Sequence, residues 1–245
     1  MRGLLMMALC CPTLGFAQGG NEISVTLGLG AESKPAYFGA ADTETGPSGN
    51  FALDALSYAG VTFGAGTKQG FGFGGSLRFV PMRNASDHVA LAGMVDVDAA
   101  FELGGGLRYT SGPFDFFGNL RYGVIGHRAL VAEAGGDFTY RPADAWTLRL
   151  GPRMLWGDTE YAQTYFGVTA AESLASGFAA YDADAGLIST GIKAEAVYQV
   201  TPDWGVVGTV RFDTLQGDAA NSPIVQDKDQ TIVGVMVTRK VTFGF

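Results

Sequence analysis

The sequence is poor in cysteine and in charge, and both shortages narrow the classes of protein to which it can belong. Its two cysteines, Cys10 and Cys11, lie near the N-terminus, so the rest of the chain cannot form a disulfide framework. Charged residues make up 16% of the chain, and acidic side chains outnumber basic ones to give a net charge of −8. An acidic chain of this kind has no general affinity for nucleic acid.

Long apolar runs are missing as well. Beyond residue 17, the longest stretch without a charge runs from Ala55 to Thr67, which is too short for a membrane-spanning helix. Glycine, by contrast, is abundant at 37 of 245 residues, and 47% of the chain is hydrophobic, which argues against disorder. The glycines do not follow the three-residue repeat of collagen. The composition is that of an apolar protein built from something other than long apolar helices.

The first 17 residues have the layout of a secretory signal peptide. Arg2 precedes an apolar stretch, and the small residues Gly15 and Ala17 occupy positions −3 and −1 of a cleavage site. We expect residues 1–17 to be removed and residues 18–245 to form the mature domain. A lipid anchor on either cysteine is disfavoured, because the residue before each is bulkier than such processing normally accepts.

Apolar residues recur at every second position through most of the remaining sequence, which predicts β-strands. Trp146, Leu148 and Leu150, for example, alternate with Thr147 and Arg149. A soluble β-sandwich also alternates, with its apolar face inside. Two features favour a barrel with its apolar face toward lipid instead. The strands run to about 10–15 residues, longer than globular strands, and the aromatic residues gather at strand ends.

The pattern predicts an all-β, transmembrane, antiparallel up-and-down barrel of about ten strands, with counts of eight and twelve left open. The predicted strands are 22–30, 51–66, 70–80, 99–110, 114–126, 129–140, 145–157, 186–200, 204–215 and 230–245. Tight turns at 67–69, 111–113, 141–144 and 201–203 alternate with connections that are longer overall, at 31–50, 81–98, 158–185 and 216–229. The short connection 127–128 breaks this rhythm, and the uneven pattern of 51–66 also fits two strands. Short turns on one side and long loops on the other are typical of a bacterial outer-membrane barrel.

Charged residues on the predicted strands fall mainly on the face opposite the apolar residues, which is the lumen of a barrel. The predicted lumen charges are Arg78, Glu102, Arg108, Arg121, Glu133, Asp137, Arg149, Arg153, Lys193, Glu195, Arg211 and Asp213. Because both signs are present, we expect a ladder of ion pairs that fills a narrow lumen, with an open channel as the alternative. Glycines on this face are expected to leave room for the long charged side chains.

The longest connection, 158–185, carries a helix signal. Thr169 followed by Glu172 predicts a capping box and a short helix over 169–176. Five aromatic residues surround it: Tyr161, Tyr165, Phe166, Phe178 and Tyr181. They are candidates for a surface that contacts a partner, or for a cluster that folds the loop over the barrel mouth, and the second role is the more usual.

No catalytic, cofactor-binding or metal-binding residues are predicted. His88 and His127 are interpreted as solvated loop residues, since no G-x-S-x-G nucleophile motif accompanies them. Two histidines without cysteine also make a poor zinc set, and the acidic loop residues lie outside any EF-hand pattern. The sequence therefore predicts that the protein is not an enzyme.

The chain ends with Val241, Phe243 and Phe245 at alternate positions, a pattern that resembles the barrel-assembly signal of outer-membrane proteins. Arg239 interrupts the same apolar face, so we expect a local bulge or a side chain that reaches toward the membrane surface. The export signal, the alternating strands and this terminal motif together predict a protein of the outer membrane of a Gram-negative bacterium.

Several loop sequences resemble the MipA/OmpV family, the MltA-interacting-protein-like outer-membrane proteins. The stretches are GLGAESKPAYFGA, GPSGNFALD, GHRALVAEAG, YFGVTAAESLASGFAAYDADAG and LQGDAANSPIV, and the similarity extends from about Leu27 to Phe245. The resemblance implies an outer-membrane β-barrel. It also implies a scaffold in cell wall biogenesis that links a membrane-bound lytic transglycosylase to a bifunctional penicillin-binding protein, two enzymes of peptidoglycan (murein) hydrolysis and synthesis.

The function expected from the sequence is thus that of a non-enzymatic scaffold or interaction protein. Its expected partners are outer-membrane lipid and lipopolysaccharide, the barrel-assembly machinery and, through the resemblance, the two peptidoglycan enzymes. A narrow channel for small solutes and a surface adhesin that acts through the long loops are the alternatives.

Overall fold

The computed structural model describes residues 21–58, 61–63 and 69–245. Its strands are β1 (Glu22–Pro35), β2 (Thr43–Tyr58), β3 (Val61–Phe63), β4 (Gly70–Val80), β5 (Ala100–Ser111), β6 (Phe114–Ile125), β7 (Leu130–Ala143), β8 (Trp146–Gly157), β9 (Gly186–Gln199), β10 (Trp204–Leu215) and β11 (Asp229–Gly244). Its helices are α1 (Thr159–Phe166), α2 (Ala170–Ser176) and α3 (Gly217–Asn221), with short 3-10 turns at Ala85–Asp87 and Val89–Leu91. Within these described ranges, no helix is long and apolar enough to cross a membrane. The predicted signal peptide lies outside the described residues, as do residues 67 and 68 of the predicted turn at 67–69.

The strands form one antiparallel sheet in which strands that follow one another in the chain pair with each other, except that β3 and β4 lie at its two edges. The order runs β3-β2-β1-β11-β10-β9-β8-β7-β6-β5-β4, so the first strand pairs with the last. That pairing extends from Glu22↔Gly244 to Ser33↔Val233 and joins the first and last described strands. The predicted all-β, antiparallel, up-and-down barrel is confirmed, with ten long strands and the three-residue β3.

The predicted loop 31–50 is wrong, because two strands occupy most of it. β1 continues to Pro35, β2 begins at Thr43, and these two residues still pair. On the outward face, Leu29 is followed by Ala31 and Ser33, which are too small to mark an apolar face. The alternation of apolar and polar residues is therefore lost here, and the backbone pairing of β1 with β2 sustains the strands. The predicted strand 51–66 is likewise divided between the end of β2 and β3.

The sheet is apolar outside and charged inside. On β4, Phe71 is 79% exposed and Phe73 is 87% exposed, whereas Glu102 on the neighbouring β5 is fully buried. A soluble β-protein has the reverse arrangement, because burial favours apolar surface and water solvates charge. The exposed apolar belt is the surface that a lipid bilayer covers, so the fold is that of a transmembrane barrel.

Aromatic side chains gather at the short-turn end of the barrel. Trp146 and Tyr198 lie on paired strands with ring centroids 4.9 Å apart, and Trp204 begins β10. Arg239 pairs with Trp204, and its guanidinium carbon lies 5.1 Å from the centre of that ring. Of the two alternatives expected for Arg239, the local bulge is wrong, because β11 keeps its register against both β1 and β10 at this residue. Arg239 instead lies in an aromatic girdle, where a cation can reach lipid headgroups.

Candidate functional site: the charged lumen and its mouth

Glu102, on β5, is the centre of the largest charge group in the lumen. Its carboxylate accepts hydrogen bonds from Arg78 Nη2 (2.6 Å) and Arg121 Nε (2.9 Å), which lie on the strands to either side. It also lies 3.2 Å from His127 Nε2, while His127 Nδ1 accepts the backbone N–H of Ala129 (3.0 Å). Nδ1 is therefore the unprotonated nitrogen, and Nε2–H donates to Glu102. Two cations and one imidazole N–H thus satisfy a carboxylate that has no contact with solvent.

The expectation that His127 is a solvated loop residue is wrong. Its side chain is fully buried, and its ring centroid lies 5.2 Å from that of Tyr161 and 5.8 Å from that of Tyr165. Gly123 makes room for the imidazole, because a Cβ at that position would lie 2.5 Å from His127 Cε1. The sequence conceals this burial, since a short connection after a strand has the appearance of an exposed turn.

The Glu102 group continues across the bore of the barrel. Arg121 also pairs with Glu133 (2.9 Å), and Arg211 contacts both Glu133 (3.7 Å) and Asp213 (2.5 Å). Glu133 lies on β7 and Arg211 on β10, which β8 and β9 separate in the sheet. Their contact therefore spans the lumen instead of following its wall, and charged side chains fill the cross-section at this level.

The other predicted lumen charges form three smaller groups. The ion pairs are Arg153 with Asp137 (2.7 Å), Arg149 and Lys193 with Glu195 (2.5 and 2.9 Å), and Arg108 with Asp115 (3.2 Å). Each predicted lumen charge thus has a partner of opposite sign, in four groups and not in one continuous ladder. In the part of the chain that the structure describes, no three His, Cys, Asp or Glu side chains come together as a metal site.

Helix α1 closes the lumen on the side of the long loops. Its N-cap, Asp158, accepts the backbone N–H of Tyr161 (2.9 Å), and the Tyr161 hydroxyl accepts a hydrogen bond from Arg78 Nη2 (3.0 Å). Gly157 permits this approach, because a Cβ there would lie 2.5 Å from the Tyr161 ring. The buried cluster around the helix includes residues from six strands: Val80, Ala100, Val131, Leu155, Ile188 and Leu215. Helix and charge group therefore form one continuous plug.

The five loop aromatics divide into two sets. Tyr161, Tyr165 and Phe166 belong to α1 and pack inside the barrel mouth, where each is at most 3% exposed. Phe178 and Tyr181 lie half-buried at the rim, and the Tyr181 hydroxyl donates to the carbonyl oxygen of residue 218 (2.9 Å). The first set would reach a partner only after the loop opened, so the loop as it stands covers the mouth.

Helix α2 has the predicted capping box. The Thr169 hydroxyl accepts the backbone N–H of Glu172, and the Glu172 carboxylate accepts the backbone N–H of Thr169 (2.9 Å). That carboxylate also accepts the backbone N–H of Val95 (3.1 Å), so it ties the loop after β8 to the loop after β4. Burial raises the pKa of the Glu172 carboxyl, but these hydrogen bonds outweigh burial and hold the pKa below its usual value. Glu172 is therefore a charged anchor at neutral pH.

A cavity of about 140 Å³ lies beside α1, at the ends of β1, β4, β10 and β11. Its apolar lining includes Phe38, Val80 and Leu215, and its polar lining includes Arg83 and Tyr165. Sequence reasoning assigns no role to Arg83, because a lone loop arginine is ordinarily solvated. In the structure, burial lowers the pKa of the Arg83 guanidinium, which nearby carboxylates and tyrosines partly offset.

Comparison with known proteins identifies the family. The family model described as MltA-interacting protein MipA matches residues 27–241. The chain belongs to the MipA family. A curated relative, the MltA-interacting protein of Escherichia coli strain K12, is 28% identical over 94 residues, which are 38% of this chain and 38% of the relative. The matched region thus spans well under two thirds of that relative's length.

Solved structures of other proteins are similar to this chain at low sequence identity. An outer membrane channel from Pseudomonas putida F1 has a TM-score of 0.46 at 10% identity, covering 91% of this chain and 96% of that chain. Neisserial surface protein A has a TM-score of 0.30 at 9% identity, covering 89% of this chain and 97% of that one. Similarity at this level says nothing about what the chain binds or transports.

Proposed function

We propose that this protein is a non-enzymatic barrel of the Gram-negative outer membrane that acts as a scaffold for peptidoglycan enzymes. Family membership carries the proposal, because the family and its curated relatives are named for an interaction with MltA. The exposed apolar belt supports the membrane location, since contiguous apolar surface of this extent is not stable against water. The filled lumen supports a role that requires no transport.

A scaffold for cell-wall enzymes would use the short-turn end of the barrel. In outer-membrane barrels the short turns face the periplasm, where peptidoglycan lies, and the long loops face outward. Exposed residues at this end include Arg141, near the end of β7, and the turn residues Asp144 and Asp203. The turn at Asp203 is held against the neighbouring strand, because Lys240 N–H donates to the Asp203 carbonyl (2.8 Å). Turns fixed by paired strands offer a preorganised docking surface, which lowers the entropic cost of binding.

The proposed enzyme partners are a membrane-bound lytic transglycosylase and a bifunctional penicillin-binding protein. Lipid, lipopolysaccharide and the barrel-assembly machinery are the further contacts that an outer-membrane barrel would make. The long loops at the opposite end remain available for surface adhesion.

The test is a pull-down of solubilised cell-wall enzymes with the purified, folded barrel. We expect the wild-type barrel to retain a lytic transglycosylase and a variant with Asp144→Arg and Asp203→Arg to lose it. A matched control reverses two exposed charges at the long-loop end, Glu160→Arg and Asp182→Arg, and should bind as wild type does. Retention of no cell-wall enzyme by the wild type, or equal loss in both variants, would refute the scaffold role.

A further inference from the structure

The turn between β6 and β7 carries a histidine that the scaffold role does not use. His127 is one of the two histidines of the chain, and its side chain is fully buried against α1. Its Nε2–H donates to Glu102 Oε1 (3.2 Å), and its Nδ1 accepts the backbone N–H of Ala129 (3.0 Å). This pair of hydrogen bonds admits only the neutral imidazole, because an imidazolium carries a proton on both nitrogens and has no acceptor for Ala129.

The charge group of the lumen is balanced while His127 is neutral. Its members are three carboxylates and three guanidiniums: Glu102, Glu133, Asp213, Arg78, Arg121 and Arg211. Arg78 donates to the same Glu102 oxygen as His127 does, and Arg121 donates to the other oxygen. An imidazolium would therefore add an unbalanced cation beside two guanidiniums, at a place that water does not reach. From α1, the rings that face His127 are the uncharged phenols of Tyr161 and Tyr165.

An open cleft beside the turn offers an imidazolium a different environment. The cleft has a volume of about 460 Å³, and His127 is among its lining residues. Its other charged lining residues are four carboxylates and two guanidiniums: Asp96, Asp98, Glu160, Glu172, Arg83 and Arg128. Asp98 and Glu160 are exposed, and within the part of the chain that the structure describes neither carboxylate has an ion pair. An imidazolium in this cleft would be solvated and would lie among surplus negative charge.

The backbone of the turn is strained while His127 is buried. Gly126 and Arg128, on either side of His127, both have left-handed φ angles, of 83° and 52°. That conformation suits glycine but is unfavourable for arginine, so the contacts of His127 hold Arg128 in it. Loss of the hydrogen bond from Ala129 on protonation would let the turn relax and carry the ring away from Tyr161.

We propose that His127 is an acid-sensitive latch for α1. At neutral pH the imidazole lies on Glu102 and packs against Tyr161 and Tyr165, which keeps α1 in the barrel mouth. In acid the imidazolium leaves Glu102 for the cleft, the packing beneath α1 is lost, and α1 opens more often. A group that is neutral in the closed form and charged in the open form favours closure at high pH and loses that effect as it binds a proton. An imidazole ordinarily takes up this proton between about pH 5 and 8.

The latch makes closure of the barrel mouth depend on the pH at the long-loop end. On the orientation proposed above, that end faces the medium outside the cell. The latch itself does not depend on a scaffold role, because its test involves no cell-wall enzyme.

The test compares backbone hydrogen exchange of the purified protein in detergent micelles at about pH 7 and about pH 5, as protection factors that correct for intrinsic exchange. Protection of the α1 amides in the wild type should fall at least about tenfold, since one linked proton changes an opening equilibrium by up to about tenfold per pH unit. His127→Gln keeps one acceptor and one donor but cannot bind the proton, so its α1 protection should be the same at both pH values. His88→Gln removes the other histidine of the chain and is the matched control, which should lose α1 protection as the wild type does.

The α2 amides report whether acid loosens the loop in general. The lowered pKa of Glu172 keeps its carboxylate charged at about pH 5, so α2 should keep its protection there while α1 loses it. Equal losses of protection in α1 and α2 would contradict a latch at His127.

Heat-modifiable migration on gels verifies that each variant folds, and nitrogen-15 NMR of labelled histidine gives a measurement that requires no substitution at His127. The spectrum should show the Nε2–H tautomer at about pH 7, and the imidazolium signal should grow over the pH range in which α1 protection falls. His88→Gln assigns the signals. Unchanged α1 protection of the wild type in acid would overturn the proposal. An equal acid loss in folded His127→Gln, or an imidazolium signal from His127 at neutral pH, would overturn it as well.

Discussion

Replacing Glu102 with Gln is the most direct perturbation of the plugged lumen. The change preserves the shape of the side chain but removes the charge that Arg78, Arg121 and His127 share. The Arg121 side chain is 3% exposed and that of His127 is fully buried, so water cannot replace the lost carboxylate. Removing one partner of a buried ion pair costs about 3–5 kcal/mol. Arg78 is partly exposed, and Arg121 keeps its ion pair with Glu133. We therefore expect the free energy of unfolding to fall by about 3 kcal/mol, near the lower end of that range.

Urea unfolding in lipid vesicles, followed by tryptophan fluorescence and by migration on unheated gels, measures this loss. Glu160→Gln, at an exposed carboxylate of α1, is the control and should change the free energy of unfolding by less than about 0.5 kcal/mol. Combining Glu102→Gln with Arg121→Met should cost less than the sum of the single changes, because fewer charges then remain unpaired. A loss below about 1 kcal/mol for Glu102→Gln, or strict additivity, would refute the conclusion that these charges are desolvated.

Four other features can be tested in the same way. Gly157→Ala places a methyl group 2.5 Å from the ring of Tyr161, so α1 should shift and proteolysis within its loop should accelerate; Gly186→Ala, with nothing within 4 Å, should leave the rate unchanged. In planar bilayers the wild-type protein should be silent, because the Glu102 charge group and α1 both fill the lumen, whereas steady wild-type conductance would favour the channel alternative. Glu172→Gln should cost roughly 1 kcal/mol, as the loss of a helix cap does. Because the folded pKa of Glu172 is lowered, its stabilisation is complete above the ordinary carboxyl pKa and is lost as pH falls through the folded value. Protection factors of the loop amides, which correct for the slower intrinsic exchange in acid, should therefore fall in acid, and unchanged protection factors would contradict this. Phe245→Ala should lower the yield of heat-modifiable barrel in outer-membrane fractions, and an unchanged yield would remove its assembly role.

The faces of the strands are predictable from the sequence because lipid imposes a rule on every second residue. Phe71 and Phe73 follow that rule, and the structure leaves both exposed. The rule weakens where outward residues become small, as at Ala31 and Ser33. The alternation therefore misses the extension of β1 and β2, which the backbone ladder sustains.

The contacts of the candidate site likewise divide into those that the local sequence specifies and those that only the tertiary structure brings about. The capping box of Thr169 and Glu172 lies within one helical turn, so local chemistry alone specifies it. The contact of Glu133 with Arg211 joins strands that are not neighbours and forms only when the sheet closes. The burial of His127 has the same origin, because it depends on the neighbouring β5 and on the loop packed above it.

By itself, the sequence determines an antiparallel barrel of about ten strands, the inward and outward faces of most of them, and membership of the MipA family. Each of these depends on alternation or on short motifs. The tertiary structure decides which charges meet in the lumen, that α1 closes the mouth, and that Arg83 is buried beside an apolar cavity. These features depend on distances between residues far apart in the chain, and curling of the sheet sets those distances, so the local sequence does not encode them.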